Sequence, residues 1–205
     1  MAERARVSVS RRGVLAAILA AAALPALAQA PRELRVSDVR ASIVLVDLPG
    51  RAPPRTGVIV SAEGHVATAS DGIVPGTVLN VRLQGDKAFP AKLVSVNAAA
   101  RTAILKIEGA GLPVARIGVT GKLARGDALV SLGYEGPPLR GAVLGTGRKE
   151  EGFAQVGLVE AALPNNDHPA YDLEGALVGF TRLYSTHDKR ALVVPVEAAL
   201  AGLPK

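Results

Sequence analysis

"TGVIVSAEGHVATAS", residues 56–70, is two β-type runs around a turn. Val58, Ile59 and Val60 are β-branched and favour extended backbone, Glu63-Gly64 supplies a turn, and "HVATAS" at 65–70 returns. The stretch predicts a β-hairpin, and its neighbours continue the pattern. "SIVLVDL" at 42–48 precedes it. "TVLNVRL" at 77–83 alternates apolar and polar residues and ends at a Gly85-Asp86 turn. "AKLVSV" at 91–96 and "AILKI" at 103–107 complete a first set of about six strands.

"EGAGLPVARIG" at 108–118 carries glycine and proline and reads as a connection between lobes. A second set follows: "DALVSLG" at 127–133, "RGAVLGTG" at 140–147, "FAQVGLVEA" at 153–161, "ALVGFTRLY" at 176–184 and "ALVVPV" at 191–196. "VEAALAGL" has the apolar spacing of one short helix. Aromatics make up only 3% of the 205 residues, so the core is built from Val, Leu, Ile and Ala. Short strands in two equal groups predict an all-β fold, a double β-barrel or a sandwich, with a short C-terminal helix. No room for a further domain is expected after Lys205.

The N-terminus reads as a removable export signal. Residues 1–28 have a basic start, an apolar stretch from Gly13 to Ala23 and a small-residue end, too short to span a membrane. Ser10-Arg11-Arg12-Gly13-Val14-Leu15 resembles a twin-arginine signal, which exports folded proteins. Cleavage is expected after Ala28, because Pro31 would block the alternative site after Ala30. A chain starting near Gln29 carries 20 basic and 17 acidic residues, against a formal +6 for residues 1–205. No basic run and no aromatic platform supports nucleic-acid binding. Zero cysteines excludes disulfides, iron–sulfur clusters and thiolate chemistry.

Taken in order, these segments resemble the trypsin-like domain of the HtrA/Deg family of periplasmic serine proteases, over roughly 41–200. "TGVIVSAEGHVATAS" is similar to the hairpin that leads to the family's catalytic His. "VRLQGDKAFPAKLVSVNAAARTAILKI" is similar to the strands around its catalytic Asp. "LPVARIG", "KLARGDALVSLGY" and "RGAVLGTGR" resemble the passage into the second barrel. "VEAALPNNDHPAYDLEGALVGF", 159–180, resembles the nucleophile loop, and "ALVVPVEAAL" the last strand and helix. The resemblance implies a trypsin-like double β-barrel with the site at the barrel interface. The family's PDZ module has no counterpart in residues 1–205.

The same alignment of motifs implies an altered site. Asp71 falls where the family has its His, Arg101 where it has its Asp, and Asn166 where it has its Ser. An amide is no nucleophile, and a carboxylate with a reference pKa of about 3.9 is a weak base at neutral pH. The oxyanion position falls on Pro164, which has no N–H; losing one such donor costs about 3–4 kcal/mol of transition-state stabilisation. Asp167 and His168 stand where the loop has glycines, and Pro169 keeps the register.

Other side chains have chemistry of their own. His65 is the candidate for a surviving general base, against a plain role at the start of a strand. Asp71, Asp167, His168 and Asp172 could converge as metal ligands, although Asn, Asp and Pro in a loop are more simply turn formers. Asp71 and Arg101 could pair across the site. "GRKEEGF" at 147–153 reads as a charged hairpin tip.

These readings set the expectations. Residues 1–28 are a twin-arginine-type signal, 29–40 an N-terminal segment, 41–114 the first barrel and 115–205 the second barrel with its helix. The protein is periplasmic, has no membrane span after signal removal and needs no cofactor or metal. It is expected not to be an enzyme: a pseudoprotease with no catalytic residues. It would bind another periplasmic protein, as scaffold or accessory subunit of a co-exported cofactor-containing enzyme. The alternative is a serine-protease-like or metal-dependent hydrolase with an unconventional site.

Overall fold

Twelve strands close into two barrels of six in the computed structural model, which describes residues 34–50, 52–85, 87–153 and 155–204. The export signal expected at 1–28 lies outside the described residues, as does the Asp86 half of the expected Gly85-Asp86 turn. The first barrel runs β1 (Ile43–Asp47), β2 (Arg55–Ile59), β3 (His65–Ala69), β4 (Leu79–Arg82), β5 (Ala88–Asn97) and β6 (Thr102–Ile107). Its closed order is β1-β2-β3-β6-β5-β4. The second runs β7 (Ala128–Ser131), β8 (Leu139–Arg148), β9 (Leu158–Ala161), β10 (Pro169–Tyr171), β11 (Leu177–Ser185) and β12 (Arg190–Pro195), closed as β10-β11-β12-β9-β8-β7. A five-residue helix α1 (Val36–Arg40) precedes the first barrel, and α2 (Val196–Ala199) follows the second.

The opening hairpin forms as its residues require. β2 and β3 are antiparallel, with Val58 opposite Ala67 and Ile59 opposite Val66. The Ser61–Gly64 turn between them is closed by the Gly64 N–H donating to the Ser61 carbonyl at 3.1 Å. The unbroken apolar run has a reason: both faces of these strands are buried. Ile59 and Val66 point into the first barrel with Val44, Val46, Leu105 and Ile107. Val58 and Ala67 point out of it, into a second core shared with Val130, Tyr171, Leu177 and Phe180 of the other barrel. β12 alternates likewise: Ala191 and Val193 fill the second barrel, while Leu192 and Val194 join the shared core.

Polar ties fasten the barrels where the apolar seam ends. Arg40 of α1 donates to the carbonyls of Tyr134 and Gly136 at 2.9 and 2.6 Å. The Tyr134 hydroxyl donates to the Leu83 carbonyl at 2.7 Å. Helix α2 and the residues after it lie against the first barrel, where Asn97 and Ser95 donate to the carbonyls of Ala198 and Gly202.

Two elements escape the sequence reading. β10 lies inside the turn-rich stretch 164–175. It is three residues long and is held by its neighbours β7 and β11 rather than by propensity. Pro169 is tolerated because it is the first residue of the strand, where its missing N–H costs no ladder bond. Helix α1 is too short for a periodic signal. The 153–161 run is strand only over Leu158–Ala161.

Candidate functional site

β3 ends at Ala69, and the turn after it presents Asp71. The turn between β5 and β6 presents Arg101, whose backbone carbonyl accepts from the Ser70 N–H at 3.1 Å. The two side chains meet: Arg101 Nη2 donates to Asp71 Oδ1 at 2.6 Å. The possible pair is a real one.

The partner that organises the site is Arg182 of β11. Its side chain is 6% exposed. Nη2 donates to Asp71 Oδ2, and Nη1 donates to Asp167 Oδ1 at 2.6 Å. Asp167 Oδ2 also faces Arg55 Nη1 at 3.6 Å. Arg55, Asp71 and Arg101 come from the first barrel and Asp167 and Arg182 from the second, so five charges form one chain across the seam. The four members around Arg182 stay partly open to solvent: Arg55 23%, Asp71 33%, Asp167 30% and Arg101 38%. Arg101 also lies over the Phe153 ring, 5.6 Å from its centroid.

Two members pay a backbone cost. Arg101 and Asp167 have φ of 52° and 57°, two of four non-glycine residues in the left-handed region among those described. Such conformations persist where the surroundings over-determine them, and they gather at functional sites. Asp167 is held by its N–H, donating to the Thr181 carbonyl at 2.7 Å, as well as by its two arginines.

The 163–169 loop is tied down by the same strand. The His168 N–H donates to Thr181 Oγ1 at 3.1 Å, and the Thr181 N–H to the His168 carbonyl at 2.8 Å. The amides of residues 167 and 168 are therefore spent inside the protein, and Pro164 has none. Asn165 is buried; its Nδ2 donates to Ser131 Oγ at 2.6 Å and to His168 Nδ1 at 2.9 Å. Burial lowers the His168 pKa, with Asp167 opposing the shift, so the ring is neutral at neutral pH and Nδ1 can accept that bond. Asn166 is exposed.

The structure does not gather the four candidate metal ligands. Asp71 and Asp167 are taken up by arginines and His168 by Asn165. Asp172 accepts from the Ala176 N–H at 2.8 Å. Among the described residues no group of three or more His, Cys, Asp or Glu could hold a metal ion. His65 starts β3, with Nδ1 2.7 Å from Ser61 Oγ. Ser61 Oγ also accepts from the His65 N–H at 3.3 Å, so the contact closes the hairpin's own turn.

Arg182 and Arg55 were not singled out from the sequence. The signal was available for Arg182: a lone cation inside "ALVGFTRLY", an otherwise apolar strand, needs a buried partner.

The network has a pH signature. Burial pushes the Asp71 carboxyl up, but hydrogen bonds from Arg182 and then Arg101 outweigh it and hold the group at about 2, against an ordinary 3.8. A depressed folded-state value stabilises the fold above the unfolded value and is lost as pH falls through the folded one. Urea unfolding at a series of acid pH values is expected to show stability falling between about pH 4 and about pH 2, and Asp71→Asn to flatten that fall. An equal fall in both proteins would show that Asp71 is not its source.

A family model described as "Trypsin-like peptidase domain" matches residues 55–179. A protein of Ectopseudomonas mendocina named "Probable periplasmic serine endoprotease DegP-like" is 27% identical over 157 residues, 71% of this chain and 33% of that protein. A Marinomonas protein of the same name is 29% identical over 145 residues, 63% of this chain and 31% of its own. The chain thus spans about a third of the length of the curated relatives it matches. The solved structure "HtrA-type protease AlgW with tripeptide" superposes with a TM-score of 0.71 at 22% identity, covering 81% of this chain and 60% of that one. The same protease with a decapeptide gives 0.68 at 19%, covering 80% and 64%. These likenesses confirm the double-barrel fold. They also correct the expectation that the chain is not an enzyme. The matched proteins are named serine endoproteases and HtrA-type proteases, which points to a protease. The substitutions at 71, 101, 164 and 166–168 change side chains and one backbone donor, while the framework of strands is the one shared with proteases.

Proposed function

The chain belongs to the family of trypsin-like peptidase domains, and from that premise we propose that it is an HtrA-type protease domain working on extended polypeptide in the periplasm. The observation that carries this is the seam itself. Two closed barrels meet there, and loops from both bring charged side chains to a solvent-accessible line. Domains of this architecture take an extended chain through main-chain hydrogen bonds, so binding needs the backbone framework more than any one side chain. The periplasmic setting is supported by the relatives' names and by the signal-like residues 1–28. Export by the twin-arginine route, and service beside a cofactor-containing enzyme, rest on Arg11-Arg12 and its surroundings.

We assign Asp71, Arg101 and Asn166 to the positions of a family triad, on the order of motifs in the sequence. These side chains supply charge and hydrogen bonds; they offer no nucleophilic oxygen. Cleavage of a chain held at the seam would therefore belong to an unconventional site, the reading that fits both the family and the side chains. The test uses the mature chain with fluorescently labelled, unfolded casein, and reads binding by anisotropy and cleavage by release of acid-soluble label. Saturable binding is expected, and any cleavage is expected to survive Asn166→Ala. Protein that is folded by circular dichroism yet leaves both signals flat would overturn the proposal. Purification of tagged mature protein from its native periplasm would then identify the polypeptides it holds.

A further inference from the structure

The chain of charges at the seam does not balance. It holds three guanidinium groups, Arg55, Arg101 and Arg182, against two carboxylates, Asp71 and Asp167. Arginine stays protonated at all relevant pH, so one positive charge is left over. Arg182 is used up, with one nitrogen on each carboxylate. The surplus lies at the two ends. Arg101 spends only Nη2 on Asp71 among the described residues, and it is the most exposed of the five side chains. Arg55 reaches Asp167 only at 3.6 Å, and its buried Nε–H has no acceptor. Unused donors beside a partly buried cation are a ready site for an anion with two oxygens, because a guanidinium fork matches a carboxylate in shape and charge. Arg101 also has left-handed backbone, with φ of 52°, a conformation that gathers at functional sites.

We infer that the outer edge of Arg101, with Arg55 adding to the positive potential, is a carboxylate-binding site for the polypeptide at the seam. The ligand group is either a free C-terminus or an acidic side chain, since both present the same two oxygens. The inference rests on the reading that the domain takes polypeptide, and it adds the charge that polypeptide must carry.

Three labelled octapeptides of Ala, Val and Ser separate the possibilities in titrations of the mature chain. One has a free C-terminus, one a C-terminal amide, and one an amide with an internal Glu. At low salt the free acid, the Glu peptide or both are expected to bind about tenfold more tightly than the neutral amide, and added salt should shrink the gap. Whichever acidic peptide gains names the source of the carboxylate. Arg101→Asn is expected to abolish the gap between the acidic peptides and the amide, and Asn tolerates the left-handed backbone there. Arg101→Lys should keep part of it, having the charge without the fork. Equal binding of all three peptides would overturn the carboxylate site and leave the polypeptide reading intact. Binding of none would overturn both. A gap that persists in folded Arg101→Asn would show that Arg101 is not the site.

Discussion

Arg182→Met is expected to destabilise the protein by about 3 kcal/mol, lowering the unfolding midpoint by roughly 6–12 °C. The side chain is 6% exposed and, among the described residues, is the one that bridges Asp71 of the first barrel and Asp167 of the second. Methionine fills much of the space and supplies no charge. The two carboxylates then face each other across the seam, each with a single arginine left. Removing one partner of a buried charge pair costs about 3–5 kcal/mol, and the partial exposure of both carboxylates puts this case at the lower end. Arg182→Lys should lose about half as much, because one ammonium cannot span both carboxylates in the same geometry. In Arg182→Met combined with Asp167→Asn the losses should fall short of the sum, since the second change removes a charge the first left stranded. Thermal unfolding at neutral pH decides it: additive losses, or a midpoint within about 2 °C of wild type, would show that the seam holds without this bridge.

Gly64→Ala is expected to cost at least as much, about 3 kcal/mol or more, for two separate reasons. Gly64 has φ of +92°, where a side chain is strained. A Cβ there would also lie 2.3 Å from the Ile107 carbonyl oxygen, and that oxygen is backbone with no flexible end to swing aside. The Gly64 carbonyl accepts from the Ile107 N–H at 2.9 Å, so relief by a shift would break the bond that joins the hairpin to β6. Gly111→Ala is the control. It has φ of +65° with nothing within 4 Å of the added Cβ, so it should show the conformational cost of roughly 1–2 kcal/mol without the clash. Equal losses from the two changes in chemical denaturation would mean that the close approach to Ile107 is relieved at no cost.

The hairpin shows how far local reading reaches. Val58, Ile59 and Val60 before Glu63-Gly64 mark strand and turn, because β-branched side chains and a glycine act on their own backbone. β10 shows where it fails. Pro169-Ala170-Tyr171 has no strand signal of its own, and its state is set by hydrogen bonds from β7 and β11, which are distant in sequence. The charged site divides in the same way. Asp71 and Arg101 could be named from their places among the motifs. Arg55 gave no sign of its role, being one more arginine beside a loop.

The sequence by itself determined a two-barrel, all-β chain and the segments that meet at its seam. Alternation and turn residues are local, and the order of motifs is a property of the chain. Tertiary structure decided which charges touch. Arg182 and Asp71 are 111 residues apart, and no periodicity links them. They meet because the two closed barrels share a core, which carries one strand of the second against a turn of the first. That closure leaves three cations facing two carboxylates, a balance set by where side chains end up.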